Sequence, residues 1–179
     1  NSLRSKKLHH IFVRKINLKT QFFSKKLDIL ENSYLNKKLT NDIVEFINNN
    51  KFDLSIGVAG GLSLLLAMNK NKITSKVFGW QHNCYKAYFE LKGRYYYSYD
   101  ELFKKYLREL DQYIVLTQDD KIKMDKLFNL NSIVINNPKS FTSPEKSDLT
   151  NKEFIAVGRL EYAKGFDILI ECFKIFNDK

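Results

Sequence analysis

Two cations stand five positions apart near the end of this chain, Arg159 and Lys164, in the string VGRLEYAKGFDILIECF that runs from Val157 to Phe173. The string reads as a strand ending at Gly158, a short loop, and a helix from about Gly165. That puts both cations at the carboxyl end of a strand, the edge where open α/β sheets hold their ligands. A guanidinium fork and an ammonium point charge together suit a diphosphate, one through paired hydrogen bonds and one through charge. If the diphosphate is a leaving group, charge gathers on it as its bond breaks. Fixed cations then stabilise that state more than the ground state. Two solvated cations at a loop would look the same from spacing alone.

What must position them is an alternation of short apolar runs and amphipathic stretches. Strands are expected at His9–Val13, Phe52–Val58, Lys76–Trp80, Tyr113–Leu116, Ser132–Ile135 and Glu153–Val157. One helix is expected near Phe22–Tyr34. A second starts at Thr40, whose hydroxyl is the expected cap, with Ile43, Val44 and Ile47 on one face. Gly60-Gly61 opens an apolar helix to about Met68, the glycines serving close packing. A capping box at Ser98–Glu101 starts the next, which buries Leu102, Phe103, Tyr106, Leu107 and Leu110. Asp119–Phe128 and a stretch from about Gly165 to Phe176 complete the set.

Apolar strands separated by such helices predict an α/β domain, doubly wound, its parallel sheet covered on both faces. Both prolines, Pro138 and Pro144, fall in the polar stretch Asn136–Lys152, which reads as a linker. The lone strand and helix beyond it cannot bury their own faces, so a second domain begins there.

At 44% hydrophobic and 28% charged over 179 residues, the composition predicts a soluble globular protein. No apolar run approaches the ~18 residues of a membrane span. No apolar signal region accompanies the basic N-terminus. Cys84 and Cys172 have neither framework nor ligand spacing and read as buried or half-buried thiols in a reducing cytoplasm. The net charge is +10, of which +6 lies in residues 1–50. Such a basic part suits nucleic acid, an anionic lipid surface or an anionic substrate. No nucleic-acid recognition motif accompanies it, so no nucleic-acid partner is expected.

Val157-Gly158-Arg159-Leu160 followed by Lys164-Gly165-Phe166-Asp167-Ile168-Leu169-Ile170-Glu171-Cys172-Phe173 resembles the start of the C-terminal domain in family 4 glycosyltransferases. Those enzymes have the GT-B architecture, two Rossmann-like domains facing across a cleft. The segment Asp53-Leu54-Ser55-Ile56 with Gly60-Gly61-Leu62-Ser63 is similar to a loop of the family's N-terminal domain, although Val58 or Ala59 stands where a polar residue is common. Trp80-Gln81-His82-Asn83-Cys84-Tyr85 resembles its histidine-bearing loop. Asp111 to Thr117 resembles a later strand, and Asn136-Asn137-Pro138 the close of the first domain.

The resemblance implies a partial N-terminal, acceptor-side domain at 1–137, a linker at 138–152, and the start of a nucleotide-sugar-binding domain at 153–179. It implies that Arg159 and Lys164 hold the donor diphosphate beside Gly158 and Gly165, and that His82 is catalytic, donating to a sugar hydroxyl or the reacting phosphate. A lone histidine is otherwise more often a structural residue. Transfer would retain anomeric configuration and move a hexose or N-acetylhexosamine. No metal or cofactor is implied, the nucleotide sugar being a substrate. The acceptor would be a glycan or a lipid-linked glycan for cell-surface polysaccharide or lipooligosaccharide, and the location the cytoplasm, at the inner membrane face.

Aromatics and cations interleave from Tyr85 to Tyr97, a pattern that suits acceptor or anionic-lipid contact, or packing on the domain. The family's first strand and glycine-rich loop are expected before Asn1, and its paired glutamates beyond Lys179. The chain therefore reads as a piece of a longer enzyme, inactive alone. The other reading, a non-catalytic Rossmann-like module that docks on a partner or membrane, stays open.

Overall fold

In the first part of the chain each apolar run is followed by a helical stretch long enough to carry the chain back to its starting edge, so the strands run parallel. The computed structural model describes residues 2–34, 37–139, 142–145, 150 and 153–177. The chain divides into two units, Asn1–Pro138 and Lys139–Lys179.

The first unit begins with helices α1 (Ser2–Thr20), α2 (Leu27–Tyr34) and α3 (Lys37–Asn49). Then β1 (Leu54–Val58), α4 (Ala59–Ala67), β2 (Lys76–Trp80), α5 (Asp100–Tyr106), β3 (Gln112–Val115), α6 (Gln118–Phe128) and β4 (Ile133–Val134) alternate. The four strands form one parallel sheet in the order β1-β2-β3-β4, with Ile56 beside Phe78, Trp80 beside Ile114 and Ile114 beside Ile133. The architecture is α/β, as the alternation predicts.

One face of this sheet carries the core. Leu64, Leu102, Phe103, Val115 and Met124 are fully buried there around the rings of Tyr88, Phe89 and Phe128. Phe89 packs edge-on against Phe103 and Phe128, with ring centroids 5.0 and 5.1 Å away. A smaller cluster joins Ile47 of α3 to Leu66, Ile73 and Val77, flanked by Ile43 and Val44, the face the periodicity predicts. Close approach of α4 depends on Gly57: a Cβ there would lie 2.7 Å from the Ser63 backbone. The Ser63 hydroxyl lies 2.6 Å from the Gly57 carbonyl, which it satisfies in that contact.

The opposite face is exposed along the edge strand β1, at Leu54, Ile56 and Val58, while Phe78 and Trp80 of β2 are half-buried there and Ile114 of β3 is buried. The expectation of cover on both faces is met in full on one. With strands in sequential order, right-handed crossovers return every connecting helix to the same side.

Four local expectations are corrected. His9–Val13 is helical, inside α1, because Val13 and Asn17 share one buried helix face, a period of four rather than two. The stretch from Phe22 turns before α2 starts at Leu27, since Asn17 draws the chain round by accepting from the Phe23 amide at 2.9 Å. Thr40 is not a cap: α3 begins at Lys37, and the Thr40 hydroxyl is buried without a hydrogen-bond partner among the described residues. Nor does Ser98 close a capping box. It sits at φ +70°, its carbonyl accepts from Asn17 Nδ2 at 3.0 Å, and α5 starts without a side-chain cap.

In the second unit, a short 3-10 turn (Tyr162–Lys164) leads into α7 (Phe166–Asn177). Phe154 packs edge-on against Phe173 of α7 at 5.1 Å. The strand expected at Glu153–Val157 is not formed: this stretch has no ladder partner among the described residues, and a strand exists only through such a partner. No helix among the described residues is long and apolar enough to cross a membrane.

Candidate functional site

His82 stands exposed just past the carboxyl end of β2, between the buried Gln81 and the half-buried Asn83. The sheet itself fixes the near end, since the Gln81 amide donates to the Ile114 carbonyl at 2.8 Å, continuing the β2–β3 ladder. The Gln81 side chain is fully buried. Its Nε2 donates to the Asn83 carbonyl at 2.6 Å, across His82, and its Oε1 accepts from the Tyr113 hydroxyl at 3.3 Å. Burial pushes the Tyr113 phenol well above its ordinary value, so it stays a donor to that oxygen.

The far end of the loop is tied to α6. Asp120 Oδ1 accepts from the Tyr85 amide at 2.7 Å, and Asp120 Oδ2 accepts from the Thr117 hydroxyl at 2.8 Å. Thr117 caps α6 by accepting from the Asp120 amide at 3.1 Å. Burial, with the Asp100 and Glu90 carboxylates nearby, raises the Tyr85 phenol above its usual range. Over this arch the imidazole of His82 lies 5.1 Å from the ring of Trp80, tilted 37° to it. The Trp80 Nε1 is buried without a hydrogen-bond partner among the described residues.

The glycines of α4 serve packing, as expected. A Cβ on Gly60 would lie 2.6 Å from the Tyr96 ring, and the Gly60 amide already donates to the Tyr88 hydroxyl at 3.1 Å. Tyr34 donates to the Gly61 carbonyl at 3.0 Å. Of the aromatics from Tyr85 to Tyr97, Tyr88 and Phe89 belong to the core, and only Tyr95 is exposed. The segment is therefore chiefly a packed one. Tyr85, Tyr96 and Tyr97 are half-buried.

In the second unit, Gly158, Arg159, Lys164 and Gly165 gather around the turn before α7. Gly158 lies under Phe166, whose ring a Cβ would meet at 3.3 Å. Gly165 has φ +64°, a left-handed conformation that suits glycine, and closes the turn by donating to the Tyr162 carbonyl at 3.2 Å. The Arg159 side chain is 77% exposed and pairs with Glu161 Oε1 at 2.9 Å. Lys164 is exposed at the end of the 3-10 turn. The turn can thus present two cations to an anion, with Glu161 as internal competitor for one of them. His82 belongs to the first unit and is held by different elements.

The sequence reading missed Gln81, Asp120 and Glu161. Thr117-x-x-Asp120 is a visible capping pattern, but its reach to Tyr85 is a tertiary contact with no local signal. Cys84 and Cys172, expected buried or half-buried, are both exposed. Among the described residues, no group of three His, Cys, Asp or Glu side chains could hold a metal ion.

No known family model matches the chain, and no solved structure matches it. It is 26% identical over 152 residues to a Haemophilus influenzae protein described as an uncharacterized glycosyltransferase. The match takes in 79% of this chain and 39% of the relative.

Proposed function

We propose that this chain is part of a glycosyltransferase of the GT-B type, resembling family 4, that moves a sugar from a nucleotide-diphosphate donor to a hydroxyl acceptor. The observation that carries the reading is the turn before α7, where Arg159 and Lys164 are exposed around two glycines that shape it. Similarity to the Haemophilus influenzae protein described as a glycosyltransferase supports it. In the reaction, the bond from the anomeric carbon to the diphosphate oxygen breaks and its electron pair stays on the phosphate. The acceptor oxygen bonds to that carbon on the same face and passes its proton to the departing diphosphate. Arg159 and Lys164 stabilise the departing charge, and His82 donates a hydrogen bond to the donor sugar or its phosphate.

The sugar is a hexose or N-acetylhexosamine, and the acceptor a glycan or lipid-linked glycan of the cell surface. The enzyme works in the cytoplasm, with peripheral contact at an anionic membrane face, and needs no metal. Residues 1–137 form the acceptor side, 138–152 the linker, and 153–179 the start of the donor side. The test is a panel of nucleotide sugars offered to the full-length protein, measuring nucleoside diphosphate release. Release from one donor in the presence of acceptor supports the reading. A second reading, a non-catalytic module that docks on a partner, is favoured by the open apolar face at Leu54, Ile56 and Val58. Absence of release from every donor would favour it.

A further inference from the structure

His82 is exposed, yet almost everything within three residues of it is pinned. A three-residue arch, His82-Asn83-Cys84, springs from Gln81 and lands on Tyr85. The Gln81 end is built into the sheet and its side chain is fully buried. The Tyr85 end begins the helical segment Lys86–Glu90, and its amide has a single charged acceptor, Asp120 Oδ1 at 2.7 Å.

Asp120 is 4% exposed, an unusual place for a carboxylate. Two helix starts meet there, that of α6, which contains Asp120, and that of the 86–90 segment. Backbone amides at both favour a negative group. The Thr117 hydroxyl serves the second carboxylate oxygen at 2.8 Å. A capping role for α6 alone needs only the Thr117 hydroxyl, which already accepts from the Asp120 amide. One carboxylate oxygen stays with that cap, accepting from the Thr117 hydroxyl, while the other reaches across 35 positions of sequence to the arch.

We propose that Asp120 is the positioning residue of His82: by holding the Tyr85 amide it closes the arch and sets the imidazole against Trp80. This rests on the reading of His82 as the group that faces substrate. Asp120 touches no substrate. It converts a surface loop into a rigid mount, so that the imidazole need not be ordered when the donor binds. Asp125, one turn further along α6, provides the contrast. It anchors the same helix through Lys121 at 2.7 Å and the Ser132 amide at 2.9 Å, and contacts nothing on the arch.

The experiment is solution NMR on this chain, which needs no donor and no turnover. Trp80 is the only tryptophan, so its indole resonances are unambiguous. The wild type is expected to show a cross-relaxation peak between the Trp80 indole and the His82 imidazole, and slow hydrogen exchange at the Tyr85 amide. In Asp120→Ala the peak disappears and the Tyr85 amide exchanges about tenfold faster or more, the loss expected for a hydrogen bond to a charged group. Asp120→Asn, whose amide oxygen still accepts from Tyr85, restores the peak. Asp125→Ala lowers stability yet keeps the peak. If alanine at 120 prevents folding, Asp120→Thr fills the space without reaching Tyr85 and is read in its place. Survival of the peak without the carboxylate, its equal loss in Asp125→Ala, or its absence from the wild type would each overturn the proposal. A failed donor panel with these NMR results intact would remove the transferase reading and leave the mount standing.

Discussion

His82 stands on an arch tied at both ends to buried groups, whereas Arg159 and Lys164 stand on a turn whose neighbours Val157 and Leu160 are 94% and 90% exposed. Both regions carry the same apolar pattern in sequence. In the first unit the pattern found partners: strands paired with strands, and α4, α5 and α6 closed over an aromatic core. In the second unit the expected strand has no ladder, and α7 has Phe154 and little else to cover it. Hydrophobic sequence alone therefore does not make a core, because an edge and a face need opposing elements. The contrast leaves the His82 loop tied at both ends by hydrogen bonds, while the Arg159 side chain pairs with Glu161.

The largest expected break of this comparison is in packing. Phe103, fully buried against Phe89 and Tyr96, should lose about 3–5 kcal/mol of stability as Phe103→Ala. Phe154→Ala in the second unit should change it by no more than about 0.5 kcal/mol, since Phe154 is largely exposed. Urea unfolding followed by circular dichroism reads both, and equal losses would erase the distinction between the units.

A smaller effect concerns the acid limb of stability. Burial raises the Asp125 carboxyl, but donation from Lys121 and Ser132 outweighs it and holds the group below its ordinary value. At Asp111 burial is likewise outweighed, there by the Val77 amide and Lys70. The stabilisation from a depressed carboxyl is complete above the unfolded value of about 3.9. It is lost as pH falls through the lower folded value. The first unit should therefore weaken below about pH 4. Asp125→Ala should cost about 1.5–3 kcal/mol at neutral pH and flatten that slope. Unfolding midpoints measured from pH 2.5 to 7 check it, and an unchanged slope would rule out the Asp125 anchor.

The smallest change sharpens the contrast at the turn. Glu161→Gln frees Arg159 from an exposed ion pair worth about 0–1 kcal/mol. Affinity for a nucleoside diphosphate should rise up to about fivefold, as calorimetry would show. Weaker binding would mean that Glu161 orients Arg159 rather than competing for it.

The parallel sheet was legible because β1, β2 and β3 are short apolar runs bounded by turn residues, with helical periods between them. Hydrophobic period misled at His9–Val13, where five residues are too few to separate a strand from one turn and a half of helix. The Ser98 box failed because a pattern of four residues carries no knowledge of Asn17, which sits 81 positions away and takes the Ser98 carbonyl. At the candidate site, His82, Arg159 and Lys164 are expectations from residue type, setting and the family resemblance, and the structure shows only where they stand. Gln81 and Asp120 could not be expected, since their work is done by contacts 32 and 35 residues apart.

The central claim is that Arg159 and Lys164 receive the diphosphate of a nucleotide sugar. Calorimetric titration of nucleoside diphosphates into this chain and into Arg159→Ala, Lys164→Ala and His82→Ala tests it most directly. The account predicts binding that each cation deletion weakens by about tenfold or more, as charge-assisted hydrogen bonds imply, while an effect of the His82 variant would separate a phosphate contact from a sugar contact. Binding that survives both cation deletions, or no binding by the intact chain, would contradict it.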